Sequence, residues 1–159
     1  MKILIIEDDP NKLDALTNFL KQYRGAECFT QTAFQSGLRA ILSNAYDLLL
    51  LDMSMPVFDT RLGHSGGRSL PLAGRDILFQ MKRKRIDLRT IIVTQYENFD
   101  DISLGELHQN LCNEFPENYV GYVYYNVTQD QWRHELAALL KAQGMQGGVL
   151  NDTDSSSRR

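Results

Sequence analysis

Three short apolar runs without polar interruption lie along the chain, at 3–6, 48–51 and 91–93. A strand in a parallel sheet covered by helices on both faces is apolar at every position, because both side-chain directions are buried. These runs are therefore predicted to be central strands of one sheet. The segment 27–34 is a weaker strand candidate, and a further strand is predicted at 120–125.

Between the strands, apolar residues recur at helical spacing. Pro10 suits a first helical turn, and Ser103-Leu-Gly-Glu106 and Thr128-Gln-Asp-Gln131 have the capping-box pattern that opens helices. The predicted helices are at about 10–23, 35–45 and 74–84, with two more beginning at Ser103 and Thr128. Regular alternation of strand and helix predicts an α/β fold with a doubly wound, five-stranded parallel sheet and helices on both faces.

Composition and charge narrow the functional classes. The length of 159 residues fits one domain, and a net charge of -3 gives no basic bias toward nucleic acid, so direct DNA binding is not expected. Lys82-Arg-Lys-Arg85 closes a predicted helix, where cations are favoured without any nucleic-acid partner. No apolar run approaches membrane-spanning length, and acidic residues follow the first run directly. No membrane association and a cytoplasmic location are expected.

Acidic residues follow two of the predicted central strands. Glu7-Asp8-Asp9 ends the first run and Asp52 ends the leucine run, while Thr94 ends the third. Ligands of doubly wound sheets bind beyond the carboxyl ends of the strands, and clustered carboxylates favour a hard cation such as Mg²⁺. Each acid taken singly could equally be a turn former or helix cap, and Asp9 before Pro10 is predicted to be a cap.

Taken together and in this order, Glu7-Asp8, Asp52 with Pro56 four residues later, and Thr94 resemble the receiver domain of two-component response regulators. The resemblance covers about 1–142. It implies a flavodoxin-like strand order, 2-1-3-4-5. It also implies that Mg²⁺ is held by Glu7, Asp8, Asp52 and the backbone carbonyl of Ser54.

The same resemblance implies a phosphorelay role. Asp52 would accept a phosphoryl group from a histidine kinase or a phosphotransfer protein, and a downstream effector protein would read the change. Tyr122 stands at the family's aromatic switch position and could move together with Thr94. The chain would be a stand-alone receiver and not an enzyme, with at most weak self-dephosphorylation.

Two positions depart from the family pattern. Tyr125 stands where the family has a Lys near the end of the fifth strand, and a neutral phenol cannot offset the roughly two negative charges of a phosphoryl group. Gln95 follows the switch Thr94, where the family has a small residue. These departures support an alternative, a pseudo-receiver that acts as an interaction scaffold without phosphorylation. An aspartate-nucleophile phosphohydrolase fits less well, because Ser54 replaces its second acid.

The segment 57–73 is longer than the family's usual connection and lies beside Asp52. It could gate the site or recognise a kinase, or be disordered, and Arg61, Arg68 and Arg75 are candidate phosphate or partner contacts. The predicted receiver domain is 1–143, followed by a flexible tail at 144–159, which is rich in glycine and polar residues. The sequence leaves open whether the protein forms a homodimer.

Overall fold

A five-stranded parallel sheet forms the centre of the computed structural model, which describes residues 1–59 and 66–147. The elements in chain order are β1 (Lys2–Ile6), α1 (Pro10–Leu20), β2 (Glu27–Gln31), α2 (Phe34–Ser43), β3 (Leu48–Leu51), β4 (Met55–Pro56), β5 (Ser69–Leu70), α3 (Ala73–Arg83), β6 (Arg89–Thr94), β7 (Asn98–Phe99), β8 (Ile102–Ser103), α4 (Leu104–Glu114), β9 (Tyr119–Tyr124) and α5 (Gln131–Ala142). The sheet order is β2-β1-β3-β6-β9, and each neighbouring pair is parallel. Counting only these strands, this is the predicted order 2-1-3-4-5, so the fold prediction is confirmed.

The leucine strand β3 shows why the central runs are wholly apolar. Leu49 and Leu51 pack into a core layer formed with α2, α3 and α4 on one face of the sheet. Leu48 and Leu50 pack into a second layer formed with α1 and α5 on the other face. Successive side chains of a strand point to opposite faces, so all four leucines of β3 are buried in a sheet that is covered on both faces.

The strand register brings the carboxyl ends of the central strands to one level. Ile6 of β1 is paired with Leu51 of β3, and Leu51 is paired with Ile92 of β6. The residues that follow Ile6 and Leu51 therefore leave the sheet side by side. This edge is where the predicted site residues should meet.

Two short antiparallel strand pairs, which the sequence did not predict, follow β3 and β6 beyond this edge. β4, directly before the 57–73 segment, pairs with β5 near the end of that segment. β7 pairs with β8 around Asp100, which has a left-handed φ of 53°.

Several element boundaries differ from prediction. Helix α1 ends at Leu20 and not at 23, and β2 ends at Gln31. The capping box at Ser103 is confirmed, since Ser103 and Glu106 bond reciprocally. The capping box predicted at Thr128 is wrong, because α5 begins at Gln131 and the Thr128 amide and hydroxyl both donate to Asn126 Oδ1.

Packing continues past the predicted domain end at 143. Met145 is buried in the core layer of α1 and α5, and its amide donates to the Leu140 carbonyl. Gly144 provides the left-handed turn, with a φ of 83°, that follows α5. The part of the predicted tail at 148–159 lies outside the described residues, and the domain boundary stays a prediction.

Candidate functional site

Three carboxylates meet beyond the ends of β1 and β3. Oxygen atoms of Glu7, Asp8 and Asp52 all lie within 4.8 Å of one another. Glu7 and Asp52 are buried, with 2% and 4% of their surface exposed, whereas Asp8 is open to solvent. Sheet register and fold therefore bring together the acidic residues that the sequence assigned to one site.

The start of α1 orders the acidic loop. Asp9 caps the helix, its Oδ1 accepting from the amides of Asn11 and Lys12, which is the role predicted for it. The Asp9 amide in turn donates to Glu7 Oε1 at 3.0 Å. Since Pro10 occupies the first helical position, the loop passes directly from β1 into α1. The backbone of this loop holds the Glu7 carboxylate.

The site also contains a buried cation that the sequence reading missed. Lys12 of α1 is 1% exposed, and its Nζ lies 2.5 Å from Glu7 Oε2 and 3.4 Å from Asp52 Oδ1. Nζ also donates to the Val93 carbonyl at 2.7 Å, at the end of β6. The contact with Glu7 is an ion pair without good hydrogen-bond direction, because Oε2 has no hydrogen-bond partner among the described residues.

Burial dominates the protonation of the two inner acids. Loss of solvation, followed by the charge of Asp52, raises the pKa of Glu7 to about 8, and Lys12 acts in the opposite direction. Burial likewise raises the pKa of Asp52, while Lys12 and the Met53 amide lower it. Burial outweighs the single ammonium at both carboxylates. Such a pocket has oxygen donors and residual negative charge suited to a further hard cation.

The backbone after β3 packs tightly around Asp52. Asp52 Oδ1 accepts the amide of Met53 at 2.7 Å, and the Met53 carbonyl accepts the amide of Gly74 at 2.9 Å. Gly74, the second residue of α3, lies so close to this segment that an added Cβ would be 2.6 Å from the Asp52 carbonyl oxygen. Ser54, the predicted carbonyl ligand, is half-buried, and its hydroxyl lies 3.4 Å from that of Ser69. Its role as a ligand stays a prediction.

The predicted switch residues line the neighbouring strands. Thr94 is fully buried, and its Oγ1 accepts the Tyr96 amide at 3.2 Å, which leaves the hydroxyl proton available to another acceptor. Tyr122 is half-buried, and its ring centroid lies 5.2 Å from that of His108 on α4. Gln95 is exposed. The switch roles of Thr94 and Tyr122 stay predictions.

Tyr125, at the family's Lys position, packs on Trp132, and the two rings form an aromatic wall on one side of the pocket. It is 6% exposed, its amide donates to the Thr94 carbonyl at 2.7 Å, and its ring lies 5.1 Å from that of Trp132. Lys12 Nζ lies 5.9 Å from the Tyr125 ring centroid, within cation–π range. Lys12 of α1 therefore brings an ammonium into the pocket beside Tyr125.

The described ends of the 57–73 segment are tied to the domain. Asp59 Oδ1 accepts from the hydroxyls of Thr32 and Ser36 near the start of α2. Among the predicted arginine contacts, Arg75 pairs with Glu114 at 2.8 Å, Arg68 is exposed, and Arg61 lies outside the described residues. Arg75 lies on α3, and its ion pair with Glu114 joins it to α4. The roles of these arginines as phosphate or partner contacts stay predictions.

In the described ranges, no helix is long and apolar enough to cross a membrane. The acidic pocket is also the only group of three or more potential metal-ligating His, Cys, Asp or Glu side chains found in those ranges. His108 and Cys112, spaced four residues apart on α4, approach to 3.8 Å without a third ligand. The candidate chemistry of the described residues is therefore concentrated at the carboxyl edge of the sheet.

Comparisons with known proteins agree with this geometry. A family model for the response regulator receiver domain matches residues 3–105. The Detocs response regulatory protein DtcB of Enterobacter cloacae is 34% identical over 143 residues, which cover 86% of this chain and 95% of that protein.

Two solved structures share the fold. A receiver domain protein from Clostridium thermocellum has a TM-score of 0.59 at 24% identity, covering 89% of this chain and 92% of its own. TrrA from Thermotoga maritima, solved in complex with Mg²⁺-BeF, has a TM-score of 0.55 at 24% identity, covering 87% and 97%. The match of the family model to most of the chain, together with the DtcB relative, establishes that the chain belongs to the response regulator receiver domain family.

Proposed function

We propose that this chain is a phosphoacceptor module of a two-component phosphorelay in which Asp52 receives the phosphoryl group. The observation that carries the proposal is the convergence of Glu7, Asp8 and Asp52 within 4.8 Å at the ligand-binding edge of the sheet. Family membership and the name of the DtcB relative, a response regulatory protein, support a signalling role. The phosphodonor would be a histidine kinase or phosphotransfer protein, and the phosphorylated surface would be read by an effector protein in the cytoplasm.

Mg²⁺ is the proposed cofactor, held by Glu7, Asp8, Asp52 and the carbonyl of Ser54. The donor set fits, since all are oxygen atoms and the buried carboxylates outnumber the one ammonium beside them. When bound, the metal would neutralise charge on the phosphoryl oxygens and so let an anionic nucleophile approach. The Mg²⁺-BeF complex of the structural neighbour TrrA supports this assignment.

The chain's own residues position the nucleophile. Met53 and Lys12 both contact Asp52 Oδ1, which leaves the second carboxylate oxygen for attack. That oxygen would form a bond to phosphorus as the bond from phosphorus to the donor's imidazole nitrogen breaks. The bonding pair returns to that nitrogen, and the donor keeps its histidine. The Thr94 hydroxyl is placed to donate to a phosphoryl oxygen. Beyond this acceptor role, we propose no enzymatic activity except weak self-dephosphorylation.

The pseudo-receiver alternative has one observation in its favour. Lys12 already pairs with Glu7 and Asp52, so the pocket has a cation of its own and does not require a metal to be stable. Under this alternative the domain would bind its partner without phosphorylation.

Phosphorylation from a small donor separates the two functions. The protein is incubated with Mg²⁺ and acetyl phosphate, and intact mass is measured for wild type, Asp52→Ala and Asp14→Asn. Asp14 is an exposed carboxylate on α1 and serves as the matched control. We expect one phosphoryl group on wild type and Asp14→Asn and none on Asp52→Ala. Absence of the adduct from wild type, with a cognate kinase also failing, would favour the pseudo-receiver.

A further inference from the structure

Lys12 is the one buried ammonium in the described part of the chain, and it lies in the acidic pocket. Its three contacts come from three strand ends: Glu7 after β1, Asp52 after β3 and Val93 on β6. Lysine is almost never fully buried unless it is paired, because desolvating the ammonium costs free energy. The position is therefore built into the fold, and is not an accident of a flexible surface side chain.

The helix and the aromatic wall together fix this side chain. The Asp9 cap accepts the Lys12 amide, which holds the first turn of α1 against the edge of the sheet. On the other side, the Tyr125 ring faces Nζ at 5.9 Å and is backed by Trp132. A lysine at 125 would bring a second ammonium to the space that Lys12 occupies. The two residues therefore form a matched pair, with the cation on α1 and a neutral ring at the end of β9.

We propose that Lys12 is the positioning residue that pairs with the phosphorylated side chain of Asp52, and that Tyr125 is the packing partner which makes this placement possible. The inference rests on the phosphoacceptor function proposed above. A phosphoryl group on Asp52 adds about two negative charges beside Nζ and draws the ammonium toward it. Lys12 then exchanges its contact with Glu7 for one with the phosphoryl oxygens.

The third contact of Lys12 links this exchange to the strand that holds the switch residue. Nζ bonds the Val93 carbonyl, and Val93 is followed directly by Thr94, whose carbonyl accepts the Tyr125 amide. Movement of the ammonium from Glu7 toward the phosphoryl group, with the Val93 bond kept, therefore acts on the end of β6 from the α1 side. Phosphorylation is coupled to Thr94 through Lys12 as well as through the hydroxyl of Thr94 itself.

Two binding measurements test the proposal, because Lys12 has opposite effects on them. Without a phosphoryl group, Lys12 competes with Mg²⁺ for Glu7 and Asp52. With beryllofluoride on Asp52 as a phosphoryl mimic, Lys12 contributes an attraction. We expect Lys12→Met to bind Mg²⁺ about tenfold more tightly than wild type, and to bind beryllofluoride at saturating Mg²⁺ at least about tenfold more weakly. Titration calorimetry measures both affinities, and Lys21→Met, at the exposed end of α1, is the control.

The swap variant Lys12→Met/Tyr125→Lys moves the cation to the family position. We expect it to recover beryllofluoride affinity to within about threefold of wild type. Tyr125→Lys alone places two cations together and should bind Mg²⁺ more weakly than wild type. If Lys12→Met does not fold, Lys12→Gln replaces it, since Gln keeps a neutral donor for the Val93 carbonyl.

The outcomes separate this inference from the function on which it rests. Wild-type beryllofluoride affinity in Lys12→Met would overturn the role of Lys12 and leave the phosphoacceptor function standing. Loss of both affinities in Lys12→Met, without recovery in the swap variant, would show that Lys12 only holds the pocket together. A wild-type protein that takes neither acetyl phosphate nor beryllofluoride would instead refute the proposed function.

Discussion

Gly74→Ala is the substitution for which the structure predicts the clearest coupling between packing and the phosphorylation site. Gly74 is the second residue of α3, an 11-residue helix, and Gly105 is the second residue of α4, also of 11 residues. A Cβ at Gly74 would lie 2.6 Å from the Asp52 carbonyl oxygen and 3.1 Å from Met53 Cα. A Cβ at Gly105 would meet nothing closer than Ser103 Oγ at 4.0 Å. The two positions share helix context and differ in the space available.

The matched positions allow the packing effect to be isolated. Replacing glycine by alanine in a helix stabilises it by up to about 1 kcal/mol, and this gain applies to both variants. Forcing a methyl group into packed backbone costs about 1–3 kcal/mol. We therefore expect Gly105→Ala to raise the free energy of unfolding, and Gly74→Ala to fall about 1–3 kcal/mol below it. Urea denaturation with a common m-value measures the difference.

The same substitution should impair phosphorylation. Relief of the overlap moves α3 away from the peptide between Asp52 and Met53, whose amide holds Asp52 Oδ1 at 2.7 Å. A displacement of a fraction of an ångström should slow acceptance of phosphate from acetyl phosphate by about tenfold or more, with no change in Gly105→Ala. Equal stabilisation of the two variants, with equal phosphorylation rates, would refute the argument that close approach at Gly74 holds the acceptor in place.

Three further predictions concern protonation and local structure. Burial and then the charge of Asp52 raise the pKa of Glu7 to about 8, so the folded metal-free protein keeps a proton that the unfolded chain loses at lower pH. Its free energy of unfolding should therefore fall as pH rises from 4.5, the usual value for this carboxyl, toward about 8. Over the same range its Mg²⁺ affinity should rise, measured by calorimetry, and a flat profile or one unchanged in Glu7→Gln would contradict this. Ser103→Ala should lower the free energy of unfolding by about 1 kcal/mol and Thr128→Ala by much less, because Ser103 caps a helix and Thr128 does not. Equal losses of unfolding free energy in urea denaturation would contradict this. Asn118→Ala should lower the free energy of unfolding by about 1–3 kcal/mol, since the buried side-chain amide of Asn118 donates to the carbonyls of Ile86 and Leu88. A loss no larger than that of Asn113→Ala, at an exposed position, would contradict this.

The fold was predictable because its signal is local and repeated. The central strands β1, β3 and β6 each contain an unbroken apolar run, and the segments between strands show helical spacing, so alternation alone indicates a doubly wound sheet. The convergence of Glu7, Asp8 and Asp52 followed from the same reasoning, since carboxyl ends of parallel strands share an edge. These inferences need only the direction of the strands.

The capping-box prediction at Thr128 failed because a neighbouring residue binds the same backbone and side-chain groups. Thr128 matches the capping-box pattern, but Asn126 lies two residues before it and accepts both its amide and its hydroxyl. The helix therefore starts later, at Gln131. The two short hairpins were missed because a pair of two-residue strands leaves no periodicity to detect.

Lys12 was missed for a different reason, although its signal is present in the sequence. The buried residues of α1 are Lys12, Leu16, Phe19 and Leu20, which lie on one helical stripe at spacings of four, three and one. A lysine at the head of an apolar stripe is ordinarily assumed to extend its ammonium into solvent. Here the stripe ends at the acidic edge of the sheet, where an ammonium has partners. The absence of the family lysine at 125 pointed to the same place, because a pocket of buried carboxylates that lacks its expected cation requires another. A lysine at the head of this apolar stripe and a tyrosine at the family's lysine position together predict that Lys12 supplies the cation of the pocket.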